Sequence, residues 1–180
     1  SIDYAGEWKA LHYTAKKAFA PILVSTEIED EGLYFYIVSD RPEKLSGRLS
    51  LRLMDFYGKV LYKMSFPISA PASGSARVLN FQLSQLLTGR KRDAVVLHAV
   101  FHCEGEENIK ALRYFSLPKD LDLPRPEVTF EVGGGATVTL TSKVLAKNVY
   151  LELEGGGHFS DNFFDILPGE VITVGVKTHI

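Results

Sequence analysis

Beyond Pro21 the chain runs in short stretches where apolar and polar residues alternate. In "RLSLRLM", Leu49, Leu51 and Leu53 fall on one side and Arg48, Ser50 and Arg52 on the other, the period of a half-buried strand. Similar segments read "PILVSTEIE", "LYFYIVSD", "KVLYKMSFPI", "ARVLNFQL", "AVVLHAVFHC" and "IKALRYFSL", the last ending near residue 117. "EDEG" and "CEGEEN" carry hairpin-turn chemistry, and Gly58 in "DFYGK" sits where a tight turn needs it. "LSQLLTGRKR" interrupts the strands with one helical turn closed by Gly89. Short strands at this spacing predict an immunoglobulin-like sandwich over residues 21–117.

Only the first twenty residues break the pattern. Tyr4, Trp8, Leu11, Ala15 and Phe19 recur every three or four positions and line one face of a helix. Asp3 is its expected N-cap and Pro21 its stop. An isolated helix of this length is marginal in water, so it must lean on something. The short run into the first strand predicts that Phe19 and Trp8 lie beside strands of residues 21–117.

Residues 118–126, "PKDLDLPRP", are rich in proline and charge without periodicity and read as a linker. Strands then resume over 127–180 as "EVTFEV", "ATVTLTS", "KNVYLEL", "DNFFDIL" and "VITVGVK". They predict a second, small or truncated immunoglobulin-like domain. Its inward residues are expected to be Val128, Phe130, Val149, Leu151 and Leu153. "DILPGEV" reads as a type II turn between adjacent antiparallel strands, with Pro168 and Gly169 at its centre. Phe163 and Phe164 should point oppositely, one into the core and the other to the neighbouring domain. The fold class is therefore all-β, two sandwiches in tandem after one helix.

A net charge of −2 gives no electrostatic footprint for nucleic acid or an anionic membrane, and no apolar run approaches membrane-spanning length. Cys103 stands alone and follows the apolar parity of its strand, as a small core residue. His98 and His102 have the spacing of a zinc pair on a helix, but on a strand they stand roughly 13 Å apart. Gly133–Gly135 and Gly155–Gly157 lack the flanking residues of phosphate loops and read as hairpin turns. The carboxylates of Glu27–Glu31 and Glu104–Glu107 fall on turns, without the rigid floor that a catalytic pair needs. Trp8, Tyr13, Tyr34, Tyr36, Phe56, Tyr57, Phe163 and Phe164 are the candidates for stacking on sugar rings, although most fit core parity. No catalytic, cofactor-binding or metal-ligating residue is assigned.

"SIDYAGEWKALHYTAKKAFAPILVS" resembles the junction, in family 2 glycoside hydrolases of the β-mannosidase type, where the catalytic barrel gives way to a β domain. "FSDNFFDILPGE" resembles a motif of the last β domain of those enzymes, and "PKDLDLP" the linker between the two. The resemblance implies that residues 1–20 are the last helix of a (β/α)₈ barrel and that two C-terminal immunoglobulin-like domains follow. It also implies a retaining parent enzyme that removes terminal β-mannose with two glutamates about 5–5.5 Å apart. Neither glutamate matches a position here, so the region is expected to be non-catalytic. A carbohydrate-binding module, or the same region of an exo-β-glucosaminidase, is the alternative. The implied partner is the barrel of the same polypeptide, with oligosaccharide and self-association through the Trp8 helix as further expectations. The implied compartment is periplasmic, secreted or lysosomal.

Overall fold

A computed structural model of the chain describes Ile2, Tyr4 and residues 8–178. The expected N-cap, Asp3, lies outside the described residues. Two compact units emerge: Ser1–Phe19 with Phe56–Gly58 and Leu123–Ile180, and Ala20–Asp55 with Lys59–Asp122.

The unit holding residues 20–122 contains β1 (Ile22–Glu29), β2 (Gly32–Ser39), β3 (Leu45–Asp55), β4 (Val60–Ala70), β5 (Gly74–Gln82), β6 (Val95–Cys103) and β7 (Ile109–Tyr114). They form a three-stranded sheet, β1-β2-β5, and a four-stranded sheet, β4-β3-β6-β7. Alternation decides what lies between them. Leu33, Phe35 and Ile37 of β2 face Leu49, Leu51 and Leu53 of β3 and Leu97, Ala99 and Phe101 of β6 in one fully buried core. The β1–β2 hairpin closes through Asp30 and Glu31, both at positive φ, as a two-residue turn matched to strand twist requires. The interruption after β5 is a short helix, α2 (Leu83–Leu86), whose Leu83 and Leu86 plug the same core. Taken strand by strand, this unit is the sandwich that the alternation predicts.

The other unit departs further. Its strands are β8 (Val128–Gly133), β9 (Thr137–Ser142), β10 (Ala146–Val149), β11 (Gly157–Phe159), β12 (Phe164–Ile166) and β13 (Val171–Thr178). The sheet β11-β13-β9-β8 packs over the two-stranded β10-β12 around Leu140, Ala146, Phe159, Phe164, Ile166 and Val174. Val128, Val149, Leu151 and Leu153 pack against this core as expected, but Phe130 is 66% exposed. Phe130 shares a face with its buried register partner Leu140, but β8 is the sheet edge and two opposing strands do not reach that far.

Two turn assignments also change. Gly133–Gly135 closes the β8–β9 hairpin, whereas Gly155–Gly157 leads into β11, which pairs with β13 rather than with β10. The triplet therefore carries the chain from one sheet to the other. Pro168–Gly169 does likewise. Glu170 N–H donates to Leu167 O at 2.9 Å and Gly169 has φ +74°, as a type II turn demands, yet β12 and β13 lie in different sheets. Open space surrounds a Cβ added at Gly169, so backbone strain alone would penalise a substitution. Gly169→Val should lower stability by about 1–3 kcal/mol in chemical denaturation. An unchanged midpoint would refute the assignment.

The N-terminal helix is shorter than its stripe suggests. α1 spans Ala10–Ala18, and Trp8 precedes it in an isolated bridge to Ile2. Tyr4, Leu11 and Phe19 of the predicted stripe are exposed, and the buried residue is Tyr13.

Candidate functional site

The docking face of α1 is Tyr13, Lys16 and Lys17, which three- and four-residue spacing brings together. Tyr13 meets Phe163 at 6.0 Å between ring centroids. Lys16 Nζ donates to Ser160 O at 3.0 Å, and Lys17 Nζ pairs with Asp161 at 2.9 Å. Just before the helix, Trp8 stacks on His158 and meets His12 in a tilted contact, each 4.0 Å away between ring centroids. The helix thus docks on the turn carrying "HFSDNFF" in its own unit, and Phe19, expected beside strands of residues 21–117, is 85% exposed. Phe163 meets Tyr13 of α1 and Tyr150, while Phe164 enters the core.

Asn162 holds this turn in place. It is 4% exposed, and its Oδ1 accepts from Leu151 N–H at 2.8 Å and Phe163 N–H at 2.9 Å. Its Nδ2 donates to Leu151 O at 2.7 Å. One amide therefore ties the turn to the segment after β10, and Phe163 can keep φ +55° beside it. A polar residue before two aromatics was the one sequence signal of this role.

Between the helix entry and that segment lies a cavity of about 410 Å³. Its lining includes Trp8, Tyr13, Tyr150, Glu152, Gly157 and His158. Gly157, at φ +134°, is obligatory: an added Cβ would sit against Lys177 O and the Leu153 side chain. Tyr13 and Trp8 were named from the sequence as possible sugar-stacking residues, whereas Tyr150, Glu152 and His158 were not. Their contribution depends on the irregular path between β10 and β11, which has no period to read.

The remaining named residues are scattered. Glu31 pairs with Arg92 at 2.7 Å, Glu106 pairs with Arg41, and Glu27 and Glu29 are exposed on β1. His98 is nearly buried with Nδ1 3.4 Å from Arg52, and His102 is exposed with Nδ1 2.6 Å from Asn108. Cys103 packs partly buried against the core, and that burial pushes its thiol pKa up, reinforced by Glu106 and opposed by Arg41. Phe56 is buried and Tyr57 is 69% exposed.

Tyr34 and Tyr36 do not follow core parity. They lie on the outer face of β2, where Gly32 leaves room for the Tyr34 ring. Arg77 covers that ring at 4.2 Å and donates to Tyr36 Oη at 3.1 Å. The hydrogen bond to Tyr36, opposed by slight desolvation, raises the Arg77 pKa. Among the described residues no helix is long and apolar enough to cross a membrane.

Comparison with known proteins places these observations in a lineage. Residues 31–120 match the model of a mannosidase Ig/CBM-like domain and residues 123–179 that of an Ig-fold domain from the mannosidase set. The chain is 28% identical to β-mannosidase A of Aspergillus terreus over 94% of its length and 20% of that protein's. With β-mannosidase A of Aspergillus oryzae it shares 23% identity, covering 97% of this chain and 21% of the relative. It thus spans about a fifth of the length of these relatives. The crystal structure of β-D-mannosidase from Dictyoglomus thermophilum superposes with a TM-score of 0.81 at 26% identity, over 99% of this chain and 22% of that one. An exo-chitosanase from Amycolatopsis orientalis shares the fold at TM-score 0.63 and 15% identity, over 96% of this chain and 25% of that one. The chain belongs to the mannosidase Ig/CBM-like family and carries, in tandem, the immunoglobulin-like region of β-mannosidase-type glycoside hydrolases.

Proposed function

We propose that this tandem is the non-catalytic C-terminal region of a retaining exo-β-mannosidase-like enzyme, whose parent polypeptide hydrolyses terminal β-mannosides. Its β units buttress a (β/α)₈ barrel and shape the entrance to the active site, and α1 is the last helix of that barrel. The observation that carries the reading is the two-sided character of α1. Tyr13 is 2% exposed against its own unit, while Leu11 and Phe19 stand 64% and 85% exposed on another face. An apolar face of that kind on a short helix calls for a second packing partner. The carboxylates named from the sequence are exposed or paired with arginine.

Two measurements test it. The 180-residue chain should release no product from an aryl β-mannoside above the buffer rate. Turnover that survives purification and vanishes with one of its own carboxylates would overturn the reading. Replacing Leu11 and Phe19 together by Gln should leave the melting point of this chain within about 2 °C, since exposed changes cost little. In the longer enzyme the same pair should lower stability by about 2–4 kcal/mol, as truncations of buried large residues do. Equal, small effects in both proteins would remove the barrel contact from the proposal.

A further inference from the structure

The cavity beside Trp8 belongs to none of the roles assigned so far, and its lining has a definite chemistry. Its volume of about 410 Å³ lies within the range of small-molecule sites, about 300–1,000 Å³. The Trp8 indole is already engaged by two imidazoles, with His158 stacked and His12 tilted against it, each at 4.0 Å between centroids. Tyr150 is 57% exposed, lines the cavity and meets Phe163 at 4.9 Å in a tilted contact. Glu152, two residues on, is exposed, lines the same cavity and forms no ion pair among the described residues. Asn162 adds no recognition group, since its amide is committed to Leu151 and Phe163.

Among the described residues that line the cavity there is no lysine or arginine, and Glu152 is the carboxylate. A phosphate or carboxylate ligand would meet the like charge of Glu152 with no lysine or arginine among the described lining residues to offset it. A purely apolar ligand would displace water from the cavity side of Glu152 and offer it no donor in return. What fits is a neutral ligand with an apolar face for the tyrosine ring and adjacent hydroxyls that donate to carboxylate oxygens. A pyranose ring has both.

We propose that this cavity is a saccharide site, in which a hexopyranose unit stacks on Tyr150 and its hydroxyls donate to Glu152. The turn fixed by Asn162 and the docked helix preorganise the walls. The inference does not depend on the barrel-support reading, which is tested by hydrolysis and by the Leu11–Phe19 face. Only the choice of mannosides as probes follows from the family.

Trp8 is the sole tryptophan, so its emission reports on the cavity directly. Methyl β-D-mannoside and β-1,4-mannobiose should each change that emission saturably, with a dissociation constant in the millimolar range. Tyr150→Ala and Glu152→Gln should each weaken mannobiose by about tenfold or more, while Tyr150→Phe retains binding. Circular dichroism checks that the variants fold. Amide chemical shifts of Glu152 and Gly157 should move along the same isotherm, which covers a response silent in fluorescence. Absence of saturation in both readouts would overturn the proposal, and so would binding unchanged in Tyr150→Ala and Glu152→Gln. Aromatic rings beside a carboxylate also suit a quaternary ammonium ion. Saturation by tetramethylammonium with none by either mannoside would likewise overturn it.

Discussion

Replacing Asn162 by Ala should destabilise the C-terminal unit by about 3 kcal/mol, measured as a lower denaturation midpoint. The side chain is 4% exposed and makes three hydrogen bonds to backbone, at 2.7–2.9 Å. Alanine leaves Leu151 N–H, Leu151 O and Phe163 N–H without that partner, and each orphaned buried group costs about 1–3 kcal/mol. Partial access of water to the half-buried Leu151 and Phe163 keeps the sum at the lower end. Asn162→Asp separates the bonds. A carboxylate still accepts from both N–H groups but sets an oxygen against Leu151 O, so it should recover part of the loss. A midpoint within experimental error of the parent in Asn162→Ala would show that the amide does not hold the turn. Saccharide binding should weaken in the same variant, because the segment it anchors carries Tyr150 and Glu152.

Adding one methyl group at Gly47 should cost the first sandwich about 3 kcal/mol, at the upper end of overpacking penalties. Gly47 lies in β3, paired with Cys103 of β6. A Cβ there would fall against His102 O, 2.9 Å from the fully buried Phe101 ring and 3.0 Å from Cys103 Cβ. A backbone carbonyl in a ladder cannot swing aside as a side-chain tip can, so the strands themselves must part. Gly134→Ala is the control. It lies in the β8–β9 turn with nothing within 4 Å of an added Cβ, and its midpoint should stay within about 0.5 kcal/mol. Equal midpoints for the two variants would mean that β3 and β6 yield more readily than their register implies.

The residues that were legible in the sequence are those whose neighbours are set by period. Leu49, Leu51, Leu53, Leu97, Ala99 and Phe101 all face one core because a strand admits only two sides. Phe130 obeyed the same parity and still ended exposed, because alternation gives the face and not how far the opposite sheet extends. The N-terminal stripe shows a related failure. Tyr4, Leu11 and Phe19 are the most regular apolar positions, yet Tyr13 beside them is the docked residue. The partners of Tyr13, Lys16 and Lys17 are an aromatic turn, a serine carbonyl and an aspartate, and such contacts leave no apolar period. "GGGHFS" hid β11 for a similar reason, since three residues between glycines and a turn are too few to alternate. The candidate saccharide cavity was the least legible, assembled from residues 8–13 and 150–162, which come together only after both segments fold.

The outer edge of β8 has a consequence for how the chain behaves in concentrated solution. Its unpaired N–H and C=O groups lie beside Phe130 and Val132, 66% and 76% exposed on one face. That is a template on which a second copy can add its own β8, extending each four-stranded sheet into a continuous one. Pairing β8 antiparallel with itself about its middle sets Glu131 against Glu131 or close to it, and like charges across a ladder repel. Protection against this edge-to-edge pairing therefore rests on one carboxylate per copy rather than on the shape of the sheet. Glu131→Val, which leaves the core untouched, should make the protein aggregate at concentrations where the parent remains in solution.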